Sequence, residues 1–134
     1  MKRLFILLAL LTSSLFTFAQ TNRNKVNLSD KELVNFLWGF AQAHPDGFTI
    51  GIDTFDQPRE GIVVSYAATQ NSFDKKSLPA VIKHAREHEG FVGGWYNPEN
   101  KKYYFDSNRI FPEDSLAAAV KFARENGQHT VYIC

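Results

Sequence analysis

The sequence predicts an α+β two-layer sandwich, with three helices covering one face of a mostly antiparallel five-stranded sheet in the order α-ββα-ββα-β. Three observations predict it. Short runs alternate apolar with polar residues and are bounded by Gly, Pro and Asn, as half-buried strands require. Between them lie apolar stripes at helical spacing, such as Leu78, Val81, Ile82 and Ala85. The chain also matches itself at a shift of 38 residues, where Ser77, Leu78, Ala80, Lys83, Ala85, Arg86 and Glu87 fall on Ser115, Leu116, Ala118, Lys121, Ala123, Arg124 and Glu125. Seven identities in eleven positions exceed what shared helix composition gives, so the chain reads as an internal ββα duplication, with units at about residues 47–90 and 90–127.

The first helix announces itself in Ser29-Asp30-Lys31-Glu32, a capping box in which Ser29 and Glu32 satisfy each other's free backbone amides, with Leu28 and Leu33 placed as a hydrophobic staple. Leu33, Phe36, Leu37 and Phe40 form its apolar stripe, and His44-Pro45-Asp46-Gly47 ends it. In the first repeat, strands Gly47–Ile52 and Gly61–Ala67 flank the loop Thr54–Glu60 and are expected to pair as a hairpin. In the second, Phe91–Tyr96 pairs with Lys102–Asp106 across Asn97-Pro98-Glu99-Asn100, where Pro98 suits a type I turn. The first loop is five residues longer than its counterpart, and that extra length makes it a functional candidate. The helix after each hairpin has Ser77 or Ser115 as its expected N-cap, with Gly90 or Gly127 as its stop. The stripe of the last helix is Leu116, Ala119, Val120 and Ala123, and residues 129–134 make a final strand.

Ahead of this single domain, residues 28–134, stands an address. Lys2 and Arg3 precede the apolar run Leu4–Leu11, and Thr17-Phe18-Ala19 offers small residues for cleavage after Ala19. The run is too short to span a bilayer of about 30 Å, so a secretory signal peptide over residues 1–19 is expected, followed by a flexible leader at 20–27. The product would be periplasmic or secreted, with no membrane anchor after cleavage. Removing that segment leaves 13 basic and 14 acidic side chains, a formal charge of −1, which gives no field to draw in nucleic acid. Cys134 is the single cysteine, so no internal disulfide braces the fold, and the 44% of apolar residues must supply its core. The thiol at the chain end could cross-link two copies, but reads as an incidental strand-end residue.

Three groups of residues could carry chemistry. His84-Ala85-Arg86-Glu87-His88 matches the H-x-x-E-H string of zinc peptidases, in which two imidazoles four apart on one helical face hold the ion. The repeat argues against it, because Phe122, Glu125 and Asn126 occupy the matching positions; a surface pair is the expectation and no metal is assigned. Second, Thr69-Gln70-Asn71-Ser72-Phe73 and Ser107-Asn108-Arg109-Ile110-Phe111 read as equivalent polar turns after a strand. Gln70, Asn71, Asn108 and Arg109 would then form one binding rim, with Arg109 as an anion contact. Third, Gly93-Gly94-Trp95-Tyr96 faces Tyr103-Tyr104-Phe105-Asp106, so that rings pack over glycine. Trp95, Tyr96 and Tyr103 would alternatively build an aromatic platform on the uncovered sheet face, joined by Asp53 and Asp106. Phosphate loops, nucleophile elbows, Cys-x-x-Cys pairs and calcium loops do not occur, and no cofactor is expected.

The strings Thr69-Gln70-Asn71-Ser72-Phe73, Gly93-Gly94-Trp95 and Tyr103-Tyr104-Phe105-Asp106-Ser107 together resemble a small module found in bacterial proteins, including some from mobile elements. The resemblance covers residues 44–134 and implies one compact unit, with no activity or catalytic residue attached. A small, near-neutral exported chain with no assembled catalytic set points to a binding module. The expectation is an inhibitor or immunity-like protein acting on a protein partner in the envelope. The alternatives are a small hydrolase, metal-assisted at His84 and His88, and a carbohydrate-binding module.

Overall fold

The computed structural model describes residues 25–134, so the expected signal peptide lies outside the described residues. Within these limits the chain forms three α-helices and six strands. Helix α1 spans Asp30–Ala43, and strands β1 (Phe48–Gly51) and β2 (Ile62–Ser65) follow it. A 3-10 turn at Ala67–Thr69 leads into the short strand β3 (Ser72–Phe73) and helix α2 (Asp74–Arg86). Strands β4 (Phe91–Asn97) and β5 (Lys102–Phe111), helix α3 (Leu116–Glu125) and strand β6 (Tyr132–Ile133) complete the order. This is the predicted α+β class, with a curled and antiparallel sheet.

Its pairing departs from the prediction. Strands β4 and β5 form the expected hairpin, with Trp95 opposite Tyr104 and Gly93 opposite Asp106. Strands β1 and β2 do not pair with each other. The sheet order is β1-β4-β5-β2-β6, so the second hairpin separates the strands of the first. The short strand β3 makes the first unit βββα and the sheet six-stranded rather than five-stranded, so the repeated ββα order is kept only by the longer strands, and the hairpin exists in one copy only. The connection between β1 and β2 is held elsewhere. Phe55 stacks on Phe36 of α1 at 4.1 Å, and Ile52 N–H donates to the Gly90 carbonyl at 2.9 Å.

Strand β5 also runs further than predicted, to Phe111. Ser107–Phe111 is not a turn equivalent to Thr69–Phe73, because residues 108–111 pair with β2. Beyond β2 the same edge of β5 continues with β3, where Phe73 lies opposite Tyr104.

The capping box forms as read, with Glu32 N–H donating to Ser29 Oγ and Ser29 N–H donating to the Glu32 carboxylate, both at 3.2 Å. Ser77 is not an N-cap. Helix α2 begins three residues earlier, and Ser77 Oγ instead donates to the Asp74 carbonyl at 2.9 Å. Ser115 stands at the cap position of α3 without a side-chain cap bond. Gly127 ends α3 in the left-handed conformation that side chains disfavour, at φ +64°, whereas α2 is capped earlier, at Glu87, and Gly90, at φ +80°, follows three residues later with its N–H donating to the Ala85 carbonyl at 2.8 Å.

Leu33, Leu37, Leu78, Val81, Ile82, Val92 and Phe105 close the larger core between α1, α2 and the sheet. A second core joins Ile62, Val64 and Phe111 to Ala119 and Ala123 of α3. The stripe predicted for α3 is rotated. Leu116 is half exposed, and the two alanines and Phe122 face the sheet, because small side chains let α3 settle closely on β2.

Candidate functional site

Side chains alternate across a strand, so one residue's face assigns its neighbours. On β5, Tyr103, Phe105 and Phe111 belong to the helix side, while Tyr104, Asp106 and Asn108 stand on the face the helices leave open. The curl makes that face concave. It encloses a cleft of about 630 Å³, lined from β1, β2, β4 and β5, by Gln57 and Pro58 of the long first loop, and by Gln70 and Asn71.

A polar network forms the floor. Ser65 Oγ donates to Asp106 Oδ2 at 2.7 Å, and Asn108 Nδ2 donates to Asp106 Oδ1 at 2.7 Å and to Ser65 Oγ at 3.2 Å. Thr49 Oγ1 donates to Asn108 Oδ1 at 3.4 Å. Asn108 is buried, 2% exposed. The arrangement requires glycine beneath it, since a Cβ at residue 93 would clash with Asn108 Oδ1 and lie 2.8 Å from Asp106 Oδ1. Ring packing over glycine occurs one residue on, at Gly94, where a Cβ would meet Phe48 and Phe105.

Burial pushes the Asp106 carboxyl above the usual carboxylate range, and the hydrogen bonds from Ser65 and Asn108 pull in the opposite direction. No lysine, arginine or histidine among the described residues forms an ion pair with it. Asp53 lies away from the cleft, beside Lys25 and Arg86.

The wall of the cleft is aromatic. Trp95, 40% exposed, stands 5.0 Å from Tyr104, which meets Phe73 at 4.8 Å. The predicted platform of Trp95, Tyr96 and Tyr103 is divided by strand alternation. Tyr96 and Tyr103 pair on the opposite face, where Tyr103 packs edge-on against Trp38 of α1 at 5.0 Å.

The predicted rim is divided likewise. Gln70, Asn71 and Asn108 reach the cleft, whereas Arg109 turns to the helix side. There it lies over Phe111 and Phe122 and faces Glu89 at 3.7 Å. Tyr66 Oη donates to the same carboxylate, and burial with this bond pushes the phenol up. His84 and His88 stack in parallel at 3.9 Å against Tyr66. Ring lone pairs lie in the ring planes, so in parallel rings they run side by side rather than converging on one ion. His88 Nδ1 is bonded to the His84 carbonyl at 2.7 Å. Among the described residues, no group of three His, Cys, Asp or Glu side chains is placed to hold a metal.

Thr49 and Ser65 are site residues that motif reading missed, and Gly93, expected to lie under rings, lies under Asn108 and Asp106 instead. The signal was the alternation itself, since Asp106 and Asn108 are two apart on a strand and face the same way.

The fold and site define a small α+β protein with an acidic, aromatic-walled cleft on the open face of its sheet. Compared with known proteins, the chain matches no family model, no curated protein and no solved structure.

Proposed function

We propose that this chain is an exported binding module whose working surface is the cleft on the concave sheet face, and that the cleft receives a protruding group of a protein partner in the envelope. One observation carries the reading: the floor network of Asp106, Asn108, Ser65 and Thr49 is assembled from three strands and held open to the cleft. Exchanging a buried polar cluster for apolar packing of similar volume is often neutral or stabilising, so stability alone does not call for this one. The long first loop contributes Gln57 and Pro58 to the same opening, in keeping with an inhibitor or immunity-like role.

Trp95 beside Asp106 and Asn108 also supports the carbohydrate reading, in which a sugar ring stacks on the indole. The hydrolase reading draws less support, because no histidine is among the residues that line the cleft.

The test is affinity capture from envelope extract with wild type, Trp95→Ala and the outward-facing control Leu116→Ala. A partner kept by the control and lost by Trp95→Ala supports the reading. Equal recovery by all three, together with a silent glycan array, removes the cleft from the proposed function.

A further inference from the structure

We propose that the group the cleft takes is an organic cation, an ammonium or guanidinium such as ends a lysine or arginine side chain, held between the Asp106 carboxylate and the faces of Trp95 and Tyr104. This rests on the cleft being the binding surface and adds the chemistry of its ligand.

The lining is one-signed. Asp46 and Asp106 contribute carboxylates, and no lysine, arginine or histidine is among the lining residues. An anion would meet repulsion with no compensating charge, whereas a cation would find the counter-charge that Asp106 lacks.

The network runs in one direction. The Ser65 hydroxyl is committed to Asp106, and the Asn108 amide to Asp106 and Ser65. Each carboxylate oxygen has taken one neutral donor and retains acceptor capacity. The ligand that completes it brings N–H donors, and a charged donor makes the stronger bond.

The rings suit the same ligand. Tryptophan and tyrosine faces attract cations within about 6 Å of the ring centre. The protein already uses this row of rings in that way at its far end, where Lys102 Nζ sits 4.8 Å over Phe73, which abuts Tyr104.

An asparagine at position 106 could accept from the Asn108 amide through its one oxygen and donate its own amide to Ser65 Oγ, without burying a charge. A carboxylate here therefore weakens the free fold, and it is explained by a ligand that supplies the opposite charge.

The experiment is an amide and indole chemical-shift titration of the exported chain at neutral pH. The probes are n-butylammonium and butylguanidinium, the neutral n-pentanol and glucose, and lysine and arginine blocked at both termini. We expect the cations to shift the Trp95 indole and the amides of Asp106–Asn108, with affinity falling about tenfold in Asp106→Asn. Wild-type affinity should also fall by up to roughly tenfold per unit as the pH drops below the titration of Asp106, a readout that stands if the variant does not fold. Tighter binding of the blocked amino acids than of the bare amines marks a partner's side chain as the source, and equal binding marks a free amine. Neutral probes shifting the same amides as strongly as the cations, or an unchanged Asp106→Asn, would overturn the cation and leave the cleft reading standing. Silence from every probe would overturn both.

Discussion

Thr69 and Ser107 occupy the same position of the sequence repeat and are bonded to each other: the Ser107 amide donates to Thr69 Oγ1 at 2.9 Å across a separation of 38 residues. Tyr66 N–H donates to the Ser107 carbonyl at 2.9 Å, so the contact extends the β2–β5 ladder. Where the 3-10 turn carries the backbone away from β5, the Thr69 hydroxyl takes the place of the missing strand carbonyl. Thr69→Val should leave a buried amide without an acceptor and cost about 1–3 kcal/mol, while Thr69→Ser should retain most of that stability. Denaturant midpoints at unchanged slope are the check.

The hydroxyl of Ser107 gives the opposite expectation. Ser107 is fully buried, and its Oγ has no hydrogen-bond partner. Ser107→Ala removes an unsatisfied polar atom and should be neutral or stabilising by up to about 1 kcal/mol, seen as an equal or higher melting temperature.

Gly93→Ala should destabilise by about 1–3 kcal/mol, because the new methyl must displace Asn108 and Asp106. Gly39 is the control. A Cβ there meets nothing within 4 Å, so Gly39→Ala within α1 should stabilise by roughly 0.5–1 kcal/mol. If both variants melt together, the close approach at Gly93 is not real.

The buried Asp106 carboxyl holds its proton to higher pH in the folded chain than in the unfolded one. The folded state therefore binds more protons between the ordinary carboxylate value and the raised one. Its contribution to stability falls as pH rises through that window and is level above it. Asp106→Asn lacks this dependence, so its stability relative to wild type should increase with pH across the window. A constant difference from acid to neutral pH would contradict the burial of this charge.

His84 runs the other way. Burial, and then the neighbouring His88, lower its basicity, with Glu87 and Glu89 opposing. Unfolded chains take up this proton first as pH falls, so stability is lost as the pH drops below about 6.5, the ordinary histidine value. His84→Phe, which copies Phe122 at the matching repeat position, should reduce the loss between neutral and mildly acid pH, as followed by thermal melting.

Helices and the order of elements were legible in the residues because their causes are local. The Ser29–Glu32 box, the stripe Leu78, Val81, Ile82 and Ala85, and the stop at Gly127 all act within a few residues of chain. Alternation likewise contained the division of Trp95 from Tyr96 and of Asn108 from Arg109, although grouping those residues by proximity in sequence hid it. What the residues by themselves determined is the three helices, the order of the longer strands and which side chains share a face. The tertiary structure alone decided that β4 and β5 insert between β1 and β2, since strands of similar pattern pair equally well locally and only burial of the joint core selects among partners. That choice carries Thr49 and Ser65 to opposite flanks of Asp106 and Asn108, and so makes the cleft.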